Sequence, residues 1–234
     1  MHLSLQYLLG MLWTPGYFCR ALMGALGRRG RLRYDQNRPK IMLITFDYVE
    51  EGVIESLKNG LEARLVAEVS VSRQEFTPYS CLDFDRNQFN SSALIDCLDE
   101  DFRQCAISQE ATKVLAVTAR DLFVPMLTFV FGGAHLNGRC AVVSSYRLHN
   151  EHYGLPHDLE LPSDRLIKEC LHELVHTLGL INCHNSNCVM KSSTLVEQID
   201  SKSSLFCDRC LGELKGEAVR CNAVPHATEE RSMK

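Results

Sequence analysis

Residues 172–190 read HELVHTLGLINCHNSNCVM, and the chemistry of the chain is organised around this stretch. His172 and His176 are four apart, so on a helix they project from one face, about a turn apart, and can share one ion. Neutral imidazole suits Zn2+. Glu173 lies beside His172, placed to take a proton from a water whose pKa the metal has lowered. This is the H-E-x-x-H logic of metal-assisted peptide hydrolysis. Gly179 marks where such a helix stops, because glycine tolerates a left-handed turn at a helix C-terminus. The competing reading is a helix with two incidental surface histidines, and the residues that follow weigh against it.

Those residues carry a second motif. Cys183 and Cys188, then Cys207 and Cys210, give C-x4-C-x18-C-x2-C. Four thiolates in two close pairs are the makings of a closed tetrahedral zinc site. Such a site would stabilise a small C-terminal lobe that has little apolar core of its own. Two buried thiol pairs without metal are the weaker alternative. Met190 stands between the pairs, either as core filling or with a specific place beneath the metal.

Working outward, the histidines fall on an expected helix over 164–178, with Ser163 as N-cap and Asp164 in the first turn. Upstream, residues 41–46 (IMLITF) read as a buried strand, 49–65 as a helix and 66–72 (VAEVSVS) as a second strand. A β-α-β unit therefore begins near residue 40. A polar loop carrying DRNQFNSS (85–92) leads into a helix over 92–104. Further strands are expected at 114–118 and 140–145, and 127–131 (LTFVF) runs into Gly132-Gly133. Residues 147–162 read as a loop with three histidines, His149, His152 and His157.

The bulk composition agrees with a globular enzyme. The 234 residues are 45% apolar and 23% charged, enough for one good-sized domain. A net charge of −4 argues against nucleic acid as a partner, since phosphate binding needs Lys and Arg. Eleven cysteines, an odd number in metal-like spacing, suit ligands plus buried thiols such as Cys81, Cys97, Cys105, Cys140 and Cys170. A cytoplasmic or other reducing compartment follows. Residues 1–38 form an extension whose apolar run (3–13) is too short to span a bilayer. Its arginines follow that run, the wrong order for a secretory signal. A targeting or membrane-surface helix, a loosely packed extension and an overcalled start all remain open for it. Residues 215–234 read as a tail.

The two motifs together resemble the archaemetzincin family of zinc metallopeptidases, within the metzincin superfamily. The family pattern H-E-x-x-H-x-x-G-x-x-H-C-x4-C-x-M, then C-x2-C, is matched by His172, Glu173, His176, Gly179, Cys183, Cys188, Met190, Cys207 and Cys210. Segments 86–92, 120–134 and 139–148 are similar to the family's in the same order, so the resemblance covers roughly residues 40–214. It implies an α/β (α+β) fold: a twisted mixed sheet packed on helices that include the zinc helix, in a domain over 39–214. A four-cysteine lobe over 183–210 completes it. It also implies a methionine turn at Met190, two zinc ions, a peptide or protein substrate, and an edge strand within 127–146 that aligns the peptide by strand addition.

One position departs from the pattern. The family's third histidine falls at Asn182. Three readings stay open: Asn182 binds through its amide oxygen, His184 replaces it from two residues on, or the first zinc is lost and the chain is a zinc-stabilised binding module without catalysis. The loop histidines read as surface residues. Tyr146 and Tyr153 are candidates for polarising a carbonyl that the sequence cannot place.

Overall fold

The computed structural model describes residues 39–65, 67–72, 76, 78–103 and 112–214. The expected extension over 1–38, the tail over 215–234 and Cys105 lie outside the described residues. The chain runs β1 (Lys40–Phe46), α1 (Glu51–Arg64), β2 (Glu68–Ser72), β3 (Leu82–Asp83), β4 (Gln88–Asn90), α2 (Ser91–Arg103), β5 (Thr112–Thr118) and β6 (Leu122–Phe123). It continues with β7 (Gly132–Ala134), β8 (Cys140–Ser144), α3 (Leu161–His176), α4 (Val196–Ser201) and α5 (Asp208–Leu214).

The main sheet has the order β2-β1-β5-β8-β7. Its first four strands are parallel, and β7 closes one edge antiparallel to β8. Burial on both faces explains why β1 reads as an unbroken apolar run instead of an alternating one. Ile41 and Leu43 join the core shared with α1, α3 and the C-terminal lobe. Met42, Ile44 and Phe46 point to the opposite core, under α2. Leu115 and Val117 against Val114 and Ala116 divide in the same way on β5.

The expected β-α-β start is present, and β1 pairs with β2 in parallel register, Ile41 opposite Val69. A small second sheet, β3-β4-β6, takes β3 and β4 from the segment expected to be loop and β6 from beyond β5, where no strand was expected. Strands of two or three residues have no periodicity to read. Asn90, the last residue of β4, caps α2: its Oδ1 accepts from the N–H groups of Ser92 (3.1 Å) and Ala93 (3.2 Å). Residues 147–162 include two short 3-10 turns, Tyr146–Leu148 and Asn150–Tyr153.

Helix α3 begins earlier than Ser163. It opens at Leu161 with Pro162 in its first turn. Asp158 Oδ1 accepts from the N–H groups of Glu160 (2.9 Å) and Leu161 (2.8 Å) and so takes the capping role expected of Ser163. The helix ends at His176, not Leu178. The chain then reverses through Gly179 at φ 92°, while Leu180 N–H reaches back to Val175 O. No described helix is long and apolar enough to cross a membrane.

Buried charge joins α4 to α3. Arg165 grips Asp200 with two hydrogen bonds (2.6 and 2.7 Å) and also donates to Leu148 O and Asn150 Oδ1. Lys168 donates to Ile199 O, and Lys202 lies 2.8 Å from Glu169. The C-terminal lobe is therefore fastened to the helix that carries the two histidines.

Candidate active site

His172 and His176 face each other from successive turns of α3. Their rings are nearly perpendicular (87°), with Nε2 to Nε2 3.1 Å. Each Nδ1 meets a backbone carbonyl, Val189 O at 2.9 Å for His172 and Leu180 O at 2.6 Å for His176. A carbonyl only accepts, so each Nδ1 carries the proton and each Nε2 presents a lone pair. Burial lowers both imidazoles, His172 to about 3, which keeps them neutral. Two lone pairs held head to head in a buried site suit a shared cation, so the residues present fit zinc.

Asn182 is exposed, and its side chain lies near enough to both imidazoles to pull them up against the effect of burial. It lines the same cavity of about 320 Å³ as His172, Glu173 and His176. His184 is exposed and is not among the lining residues. Its Cys183 neighbour turns inward to the cysteine cluster. His149, His152 and His157 are likewise absent from the lining, and His157 pairs with Glu151. Tyr153 donates its hydroxyl to Arg147 O, and Tyr146 packs on His152, so neither tyrosine borders the cavity.

Glu173 is almost fully buried. Burial, and then the nearby Glu169, push its carboxyl up to about 8, against the pull of Lys202. It fits because position 132 is glycine: a Cβ there would meet Val142 O at 2.7 Å and Glu173 Cγ at 2.8 Å. Strand β7 thus passes directly over the glutamate. The expected edge strand narrows to Gly132–Ala134, of which Gly132 borders the cavity, and residues 127–131 form its wall next to that glycine.

That wall is pinned from behind by residues whose role was not foreseen from the sequence. Arg86 donates to the carbonyls of Leu127 and Thr128, and Gln88 Nε2 to Thr128 O and Asp121 Oδ2. Arg147 closes on Asp121 and lies 4.1 Å over the Phe129 ring. The available signal was weak: polar residues at alternate positions of a stretch otherwise read as loop. Glu169 and Lys202 were also missed, though a Lys-Glu pair inside an amphipathic helix pattern carries a hint of buried charge.

The four sulfurs of Cys183, Cys188, Cys207 and Cys210 lie within 4.8 Å of one another. Cys183 to Cys207 is 3.7 Å and Cys188 to Cys210 is 3.8 Å. A tetrahedron with Zn–S arms of about 2.3 Å has edges of about 3.8 Å, so this cluster too fits zinc. Met190 is fully buried, and its carbonyl accepts from Cys183 N–H at 2.8 Å.

Comparison with known proteins decides the family. The description of peptidase family M54 matches residues 41–216. The chain belongs to this family, the archaemetzincins. It is 37% identical to the archaemetzincin of Pyrococcus abyssi over 166 residues, covering 70% of this chain and 82% of that one. The crystal structure of archaemetzincin from Methanopyrus kandleri superposes with a TM-score of 0.66 at 34% identity, covering 80% of this chain and 98% of that one. A zinc-dependent peptidase from Methanocorpusculum labreanum gives a TM-score of 0.67 at 31% identity, covering 74% and 99%. Family membership makes the chain a zinc metallopeptidase, with the mixed α/β architecture seen here.

Proposed function

We propose that this archaemetzincin hydrolyses peptide bonds at the cavity, with His172, His176 and the Asn182 amide oxygen holding one zinc ion and Glu173 acting as general base. The observation that carries this reading is the pair of Nε2 atoms 3.1 Å apart with Asn182 on the same cavity, beside a buried carboxyl. Zinc bound there supplies a Lewis acid that polarises the scissile carbonyl and lowers the pKa of the attacking water. Glu173 takes the proton from that water and passes it to the leaving amine. Its burial raises its basicity, which suits a general base. The free side of β7 aligns the substrate backbone, and the wall over 127–131 excludes water from the reacting bond.

Asn182 is a weaker ligand than imidazole because its oxygen is neutral and less basic, so this zinc is held more loosely than the second one. The second zinc lies on Cys183, Cys188, Cys207 and Cys210 and holds the lobe together. Four thiols gathered at one point favour a reducing compartment such as the cytoplasm.

Zinc per chain, with peptidase activity on a mixed peptide pool, tests the reading. About two ions are expected in protein purified without added metal, with His184→Ala unchanged and Asn182→His binding the first ion more tightly. Glu173→Ala should retain the metal and lose hydrolysis. One ion in the native chain and no cleavage, even in Asn182→His, would replace the peptidase with a zinc-stabilised binding module.

A further inference from the structure

Away from the catalytic cavity and the sulfur tetrahedron, two further thiols touch. Cys81 closes the short 3-10 turn Tyr79–Cys81, and Cys97 lies on α2, 16 positions away, yet their sulfurs are 3.4 Å apart. That is closer than Cys183 to Cys207 (3.7 Å) or Cys188 to Cys210 (3.8 Å). Packing brings them together: Cys81 is buried in the core shared with Phe89, Leu94 and Leu98, and Cys97 packs against that core from a half-buried position. A metal does not account for the contact. Among the described residues, the four-cysteine cluster is the one place where three or more ligating side chains gather, and neither Cys81 nor Cys97 belongs to it.

Both cysteines are free thiols. A disulfide holds its sulfurs at about 2.05 Å, so the pair has about 1.4 Å left to close. The two sulfurs differ in access. Cys97 is half-buried and open to a small oxidant, whereas Cys81 is buried. Burial, and then the contact with Cys97, push the Cys81 thiol up to about 11, so it keeps its proton. We propose that Cys81 and Cys97 are a peroxide-sensitive modification site that closes to an intrachain disulfide and reopens with a thiol reductant. The Cys97 thiolate attacks the O–O bond of hydrogen peroxide; an S–O bond forms as the O–O bond breaks, and hydroxide leaves to become water with the proton that the thiol shed. The Cys81 sulfur then attacks the resulting sulfenic sulfur. An S–S bond replaces the S–O bond, and the hydroxyl leaves with the Cys81 proton as water. Two thiols and one peroxide thus become one disulfide and two waters, with two electrons passing from sulfur to oxygen. Thiol–disulfide exchange reverses it. The bond would bracket residues 82–96, the segment carrying Arg86 and Gln88, which hold the Leu127 and Thr128 carbonyls at the cavity wall. Oxidation therefore fastens the backing of that wall.

The test exposes the full-length, zinc-loaded chain to hydrogen peroxide, alkylates the remaining thiols in denaturant and maps tryptic peptides by mass. Cleavage after Arg73, Arg86 and Arg103 places Cys81 in peptide 74–86 and Cys97 in peptide 87–103, each with no second cysteine. The two peptides should appear joined and separate again with dithiothreitol, while Cys140 and Cys170 stay alkylated as free thiols and zinc per chain is unchanged. Cys81→Ala should stop at the sulfenic acid, trapped by dimedone on peptide 87–103, and Cys97→Ser should leave peptide 74–86 a free thiol. The joined protein should melt at least about 4 °C above the reduced one. Both thiols still open to alkylation after peroxide, Cys97 carried to sulfinic acid beside a free Cys81, or a link that forms only as zinc is lost would each overturn the proposal. A link without a rise in melting temperature would overturn the fastening role alone.

Discussion

Replacing Lys202 with methionine tests how the C-terminal lobe and α3 hold each other. The side chain is wholly buried, 2.8 Å from Glu169, and donates to Lys191 O beside Met190. Methionine fills similar space but leaves a buried carboxylate without its counter-charge and a backbone carbonyl without its donor. Removing one partner of a buried ion pair costs about 3–5 kcal/mol. For a domain of this size the loss lowers Tm by roughly 6–20 °C. The sign of the pH dependence follows. Burial already pushes the Glu169 carboxyl up and Lys202 pulls it down, so without the lysine its folded pKa rises further. The folded variant then holds a proton that the unfolded chain has lost, and the deficit is larger at pH 8 than at pH 5. Adding Glu169→Leu removes the stranded charge, and the double variant should recover most of the loss, short of the Lys191 carbonyl. Calorimetry of zinc-loaded protein at pH 5 and 8 reads wild type, the single variant and the double variant. A Lys202→Met protein within about 2 °C of wild type, or a double variant no better than the single, would refute the reasoning.

Gly132→Ala places a methyl 2.7 Å from Val142 O and 2.8 Å from Glu173 Cγ, so either β7 or the glutamate must move. The expected cost is about 1–3 kcal/mol of stability with loss of most peptidase activity and no loss of zinc, measured by urea unfolding and elemental analysis. Cys207→Ser removes one corner of the sulfur tetrahedron. It should release one zinc and make the bonds from residue 183 onward open to added protease while the main sheet stays protected, as peptide mapping would show. In protein stripped of metal at the histidines alone, burial holds Glu173 at about 8 against an ordinary carboxylate value when unfolded. Its folded form keeps a proton between about 4.5 and 8, so this group makes stability fall as pH rises. His172, lowered to about 3, works in the opposite direction only below about 6.5. The net loss from this site therefore shows between pH 6.5 and 8. Glu173→Gln should flatten it, and an unchanged slope in that variant would assign the loss to other groups.

Much of the candidate site was legible in the chain because its ligands are local. Residues four apart on one helix, and cysteines in close pairs, are brought together by helix geometry and short turns alone. The family pattern added the methionine turn and the departure at Asn182. The continuous apolar run of β1 read as a buried strand and the segment of β8 as a further strand. The short strands β3, β4 and β6 could not be read, having too few residues for a period, and the start of α3 was misplaced because Asp158 outcompeted Ser163 as its cap.

What the sequence by itself determined is the donor set: two imidazoles, one carboxyl between them, four thiols, and an asparagine where a histidine is expected. Tertiary structure decided which of these donors share a point in space. Asn182 lies on the cavity with the imidazoles and His184 is exposed outside its lining, while Cys183 between them joins the sulfur cluster. It also decided the surroundings that set the chemistry. Glu169 and Lys202 are 33 positions apart and meet only because α4 packs on α3. Arg86, Gln88, Asp121 and Arg147 converge behind the cavity wall from separate segments. Such contacts depend on long-range packing, for which sequence spacing holds no periodicity, and they set the burial that lifts Glu173 toward neutrality.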